Sequence, residues 1–131
     1  MGDLPEAGAR NAIVFFEIPA RDFERAHVFY SQILATELEI VEKTDPPRKF
    51  AALPIGPNGV GGAVVAMEGM VPSQNGTLVY LDGSPDLQPI LERALRAGGR
   101  VLVPKTLLQE NCYFAQLEDC EGNRIGLFSP S

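Results

Sequence analysis

Apolar and polar positions along the chain repeat one pattern, best seen at its first strand and helix. Ala12 to Ile18 is rich in β-branched and aromatic residues and predicts a strand. Ile13, Phe15 and Glu17 share one face, and Val14, Phe16 and Ile18 share the other. The second face is wholly apolar and should pack on helices. The first carries a carboxylate and should meet something wetter. Asp22 suits a helix N-cap, since its carboxylate can accept from the free N–H groups of the first turn. Phe23, Ala26, Tyr30 and Ile33 then form a helical stripe that should fade near Ala35.

The alternation resumes over Glu37 to Glu42, a half-exposed strand. Thr44 to Pro47 is a turn, because prolines cannot continue a ladder. Lys49 to Ile55 and Val60 to Met67 are strands on either side of a tight turn at Gly56 to Gly59. Glu68 to Gly76 is rich in Gly, Pro, Ser and Asn and reads as a connector.

A second copy follows. Thr77 to Asp82 is a strand, and Gly83 to Asp86 opens a helix. Leu87, Ile90, Leu91, Ala94 and Leu95 make the clearest amphipathic stripe in the chain. Pro89 fits its first turn, where a missing N–H costs nothing. Gly98 or Gly99 supplies a left-handed stop. Strands at Arg100 to Pro104, Asn111 to Glu118 and Arg124 to Phe128 complete it, with a turn at Asp119 to Asn123.

Both copies therefore read βαβββ. A shift of 64 residues lays Asp22 on Asp86, and the Asn58-Gly59 turn over Gly122-Asn123. The expected fold class is α+β: two βαβββ modules in tandem, forming a U-shaped cleft. Module one spans about 12–67, the connector 68–76, and module two about 77–129, all in one domain. Residues 1 to 10 are small and polar and read as a loose arm.

Composition narrows the function classes. The chain has 131 residues, is 45% hydrophobic and carries a formal charge of -6 without any Lys/Arg cluster. That argues against nucleic acid, whose backbone rewards cationic surfaces. No apolar run approaches the roughly 18 residues of a membrane span, and the N-terminus lacks a basic segment followed by an apolar one. Cys112 and Cys120 lack metal or redox spacing and read as free thiols of a reduced, cytoplasmic protein. Gly56 to Gly62 is glycine-rich, but no helix follows, so dinucleotide and P-loop readings fail.

One resemblance covers nearly the whole chain from about residue 12. Phe-Glu-Ile-Pro-x-x-Asp-Phe-Glu-Arg-Ala-x-x-Phe-Tyr at 16–30 resembles the opening module of the vicinal-oxygen-chelate superfamily. That superfamily includes glyoxalase I, extradiol dioxygenases and bleomycin-resistance proteins. Residues 60–65, 76–81, 101–106 and 119–127 are similar to a bacterial glyoxalase-like subgroup. The resemblance implies paired modules around a cleft, often in a homodimer. It also implies His, Glu or Gln at four metal-binding positions. On this chain those fall at Phe15, Gly62, Gly126 and Leu78 or Val79. None offers a side-chain N, O or S donor, so no metal and no cofactor are expected.

The residues expected to line the cleft are Phe15, Glu17, Phe50, Tyr80, Tyr113, Arg124 and Phe128. Aromatic residues can equally be plain core. Glu17 is the candidate catalytic residue: an anchor for a cationic ligand, an acid/base, or a hydrogen-bonded structural carboxylate. Arg124 could pair with Glu17, hold an anionic ligand, or lie in solvent. His27, the only histidine, reads as structural, and Lys105 as solvated. Three functions follow in order: a small, largely apolar ligand bound without metal; a lyase or isomerase using Glu17; an oligomeric module with a vestigial cleft.

Overall fold

The computed structural model describes residues 11–131, so the expected arm at 1–10 lies outside the described residues. The first module comprises β1 (Phe15–Pro19), α1 (Phe23–Ile33), β2 (Glu39–Thr44), β3 (Pro47–Ala52) and β4 (Gly61–Met67). The second comprises β5 (Val79–Asp82), α2 (Gln88–Arg96), β6 (Arg100–Gln109), β7 (Cys112–Glu118) and β8 (Arg124–Ser129). Each builds a four-stranded sheet, in the orders β1-β4-β3-β2 and β5-β8-β7-β6. In both sheets the first strand runs parallel to the last, and the other neighbours are antiparallel. The α+β class and the two tandem modules match the pattern of the sequence.

Burial explains the layering. Ile18, Ala51 and Val64 of the first sheet face the helices, as do Leu81, Ala115, Leu117, Ile125 and Leu127 of the second. Phe29, Tyr30, Ile33, Leu87, Leu91 and Ala94 fill the same core from the two helices, which also touch each other. Each buried Leu, Ile or Phe contributes roughly 1.5–3 kcal/mol. The Arg100–Glu118 pair is screened by water and contributes little beside this. Apolar burial therefore supplies most of the energy that holds the modules together.

Local signals placed most element ends. The Asp22 carboxylate accepts from the Arg25 N–H at 3.1 Å and caps α1. Gly98, at φ +101°, is the left-handed stop after α2. Gly99 instead packs tightly, and a side chain there would crowd the Glu118 carbonyl. β1 begins at Phe15, later than expected, because its partner β4 begins opposite at Gly61. β6 runs on to Gln109, with irregular pairing to β7.

The repeat needs two corrections. Asp86 is not the cap of α2; Leu87 holds that position, without a side-chain bond. Asp86 accepts from the Gln88 N–H at 2.9 Å and from Lys105 Nζ at 2.8 Å, so Lys105 is paired rather than solvated. The 64-residue shift also slips on the strands. Buried Ile18 matches buried Leu81, and Val64 matches Leu127, each 63 positions apart. The helices keep the shift of 64, since Ala26 matches Ile90 and Tyr30 matches Ala94, so module two has one residue more between β5 and α2 and one fewer between α2 and β8. Because strand faces alternate, the slip moves the module-one counterpart of Gly126 from Gly62 to Ala63, while Tyr80, Arg124 and Phe128 stay on the expected cleft side.

A polar clasp ties the modules together at the Asp119 to Asn123 turn. Asp119 is buried, and its Oδ2 accepts from Tyr30 Oη at 2.6 Å and from Asn123 Nδ2 at 3.0 Å. Its Oδ1 accepts the backbone N–H groups of Glu121 and Asn123 at 2.8 and 2.9 Å. Glu121 reaches the other module, where Oε1 accepts the N–H groups of Arg21 and Asp22 and Oε2 pairs with Arg25. Asn123 donates to the Pro19 carbonyl at 2.8 Å and accepts from the Ser73 N–H at 3.0 Å. Replacing Asp119 by Ala would leave the buried Tyr30 hydroxyl and turn amides unsatisfied. The expected loss is about 3 kcal/mol in urea unfolding. Tyr30→Phe, which removes one bond and leaves the turn, should lose about 1 kcal/mol.

Candidate functional site

The sheet faces turned away from the helices carry the candidate residues. On β1 these are Phe15 and Glu17, both exposed. On the second sheet the same face holds Tyr80, Phe114, Gln116, Arg124, Gly126 and Phe128, by their pairing across β5, β8 and β7. Between the edge strands β1 and β5 lies a groove of about 910 Å³. Phe15, Leu53, Ile55, Leu78 and Tyr80 line it, so its wall is mainly apolar.

Tyr80 is the most tightly built part of this face. Its ring stacks on Phe128 with centroids 4.4 Å apart and planes 12° from parallel. It also lies across Gly126, where an added Cβ would overlap the ring. Its hydroxyl accepts from Gln116 Nε2 at 2.8 Å, and Gln116 Oε1 accepts from Arg124 Nη1 at 2.7 Å. Gln116 thus bridges the aromatic platform to the guanidinium. Its alternation with Phe114 and Glu118 was the one signal available in the sequence.

The other expected residues are spread differently. Glu17 and Arg124 both line a second, smaller cavity of about 150 Å³ at the seam between the modules. Arg124 bonds to Gln116, and no ion pair joins it to Glu17 among the described residues. Glu17 is exposed, without the dry setting that the acid/base reading needs. Phe50 has the cleft-side parity of Val65, yet it lies beneath the Arg48 guanidinium, 5.6 Å from its centroid, and does not line the groove. Tyr113 is on the opposite face. It packs against the core in step with Ala115 and Leu117, with Lys105 Nζ 4.7 Å over its ring. His27 is half-buried and parallel to Phe23, ring centroids 6.2 Å apart, as a structural residue would be.

The metal positions can be tested on donor chemistry. The register puts Gly62 on the core side, beneath the Phe16 ring, and makes Ala63, opposite Glu17, the counterpart in module one of Gly126, opposite Tyr80. It likewise aligns Leu78, not Val79, with Phe15. Phe15, Ala63, Leu78 and Gly126 carry no donor atom, so they do not fit a transition metal. Among the described residues, no group of three or more His, Cys, Asp or Glu could hold one elsewhere. No helix among them is long and apolar enough to cross a membrane.

No protein-family model matches the chain, and no curated protein does. Solved structures do match its fold. A glyoxalase I mutant from Zea mays superposes with a TM-score of 0.68 at 20% identity, covering 87% of this chain and 45% of that one. The chain thus spans about half the length of the maize protein. A glyoxalase/bleomycin resistance protein from Albidiferax ferrireducens gives 0.67 at 16% identity, over 92% of this chain and 100% of that one. A glyoxalase/bleomycin resistance protein/dioxygenase family enzyme from Burkholderia phytofirmans gives 0.62 at 16%, over 90% and 98%. The chain has the vicinal-oxygen-chelate fold.

Both cysteines are free. Burial pushes the Cys120 thiol up to about 12, helped by the charges of Asp119 and Glu121. The thiolate is the reactive form, so Cys120 is held inert. At pH 8.5 it should alkylate at least about tenfold more slowly in the folded protein than in urea, read by mass spectrometry of the labelled peptide.

Proposed function

We propose that the chain is a glyoxalase/bleomycin-resistance-like protein that works without the usual metal site, binding a small, largely apolar ligand in its groove. The observation that carries this reading is Tyr80 lying across Gly126. Where a metal enzyme of this fold would project a carboxylate, this chain has no side chain, and an aromatic ring fills the place. A ring face offers stacking and apolar contact. With Phe15 on the facing edge strand, the groove has aromatic groups on both sides. A cavity of about 910 Å³ lies within the usual range for small-molecule sites. Free Cys112 and Cys120 fit a reduced, cytoplasmic setting.

The working form we propose is a homodimer. Two copies would match the length of the maize protein, of which one copy covers 45%. Exposed Val14, Leu107 and Leu108 provide apolar surface for the contact. Light scattering should give twice the 14.2 kDa chain mass; a monomer at micromolar concentration would exclude it.

Ligand binding is checked by thermal stabilisation, since binding to the folded state raises the melting temperature. A panel of small aromatic compounds should include members that raise it by several degrees at about 100-fold excess over Kd. Phe15→Asp, at an exposed position, should erase that shift, with circular dichroism checking that the variant folds. Elemental analysis of purified protein should show transition metal well below one per chain; stoichiometric zinc, iron, manganese or nickel would overturn the metal-independent reading.

A further inference from the structure

Glu17 and Arg124 bring opposite charges to one small cavity. Its volume of about 150 Å³ is room for roughly five waters at ~30 Å³ each. The polar clasp fixes their proximity. Asn123, just before Arg124, donates to the carbonyl of Pro19, two residues after Glu17, at 2.8 Å. Even so, no ion pair joins the two side chains among the described residues. Glu118, opposite Arg124 on β7, is already held by Arg100 at 2.8 Å and by the Gln74 amide. Arg124 spends one donor of its five on Gln116, which also fixes its direction.

The remaining wall mixes apolar side chains, Val71, Val79 and Ile125 among them, with polar groups that are held in place. Ser73, Asn75 and Thr77 of the connector line it. The Ser73 N–H is bonded to Asn123, and its hydroxyl accepts from the Asn75 N–H at 2.9 Å. The cavity therefore presents a carboxylate, a guanidinium and small polar groups in a space too small for a large molecule. It shares Thr77 and Val79 with the apolar groove, so the two spaces adjoin.

We propose that this cavity holds a zwitterionic head group, an ammonium against Glu17 and a carboxylate against Arg124. The ligand class is an apolar α-amino acid whose side chain runs into the adjoining aromatic groove. This rests on the groove-binding reading above and names the chemistry of its ligand. Two unjoined opposite charges flanking one cavity are matched by a molecule carrying both complements a bond or two apart. A guanidinium pairs with a carboxylate through parallel N–H donors, a geometry that a chloride or a lone water does not supply. Glu17 is exposed, so its share is limited by solvent screening.

Isothermal titration of the full chain with four probes tests the proposal: L-phenylalanine, 3-phenylpropionate, 2-phenylethylamine and 3-phenylpropanamide. Phenylalanine should bind about tenfold or more tightly than each of the others. Glu17→Gln should remove its advantage over 3-phenylpropionate, and Arg124→Gln its advantage over 2-phenylethylamine. Arg124→Lys should restore part of the latter. Circular dichroism of each variant checks that it folds. Equal binding of all four probes, lost together in Phe15→Asp, would overturn the zwitterion and leave the groove reading standing. A charged analogue binding as tightly as phenylalanine would also overturn it. Binding by none of the four would overturn both readings.

Discussion

The buried Asp119 carboxylate is the constraint on which the arrangement of the modules depends. A carboxylate removed from water is costly unless its lone pairs are used. Here four donors use them, and one of these, the Tyr30 hydroxyl, comes from the helix of the other module. The same bonds shape the turn that sends Glu121 to the start of α1. That helix consequently has two acceptors for its free N–H groups, Asp22 from its own chain segment and Glu121 from module two. Burial also raises the Tyr30 hydroxyl well above its usual range, and the Asp119 charge adds to this, so it remains a donor. The apolar core supplies most of the energy of association. It is non-directional, however, and the clasp is what fixes how the seam lines up.

Much of the fold was legible because its signals are local. An Asp before an apolar stripe marks a helix start whatever surrounds it, and Gly98 marks a stop for steric reasons alone. The face register was not local. Leu78 and Val79 are both apolar, so alternation could not say which turned to the core. The shift is 63 on the strands and 64 on the helices, because one residue is added between β5 and α2 and one is missing between α2 and β8. Such an insertion leaves the element pattern intact but makes the shift read from the helices wrong by one on the strands, which is a change of face. That is why a 64-residue shift located the helices and misplaced Gly62.

The site was legible to the same degree and for the same reason. Phe15 and Glu17 were separated from Phe16 and Ile18 by strict alternation around a single carboxylate. Tyr113 sits in Cys112-Tyr-Phe-Ala115, where both faces are apolar, and parity had no polar marker to set it. Gln116 carried no motif at all; its part follows from pairing with Gly126 and bonding to Tyr80 and Arg124. The turn at Asp119 to Asn123 was recognised as a turn. Its reach to Tyr30, Pro19 and Ser73 spans 89, 104 and 50 residues of sequence, beyond any local rule.

Tyr80 and Gly126 together decide what one place on the cleft face can hold. A glycine opposite an aromatic residue on a paired strand lets the ring lie flat over the backbone. Placing a carboxylate side chain at Gly126 would therefore require moving Tyr80, which is held by Phe128 on its face and Gln116 at its hydroxyl. Metal ligation and the aromatic platform are mutually exclusive uses of one place. What the platform cannot provide is polarity, because stacking discriminates shape more than charge. Charge discrimination must come from groups at the margin, and Arg124 is tied to the platform through Gln116. A ligand that stacks well but leaves that guanidinium unmatched would bury a charge without a partner. Such a mismatch is penalised more heavily than a matched contact is rewarded.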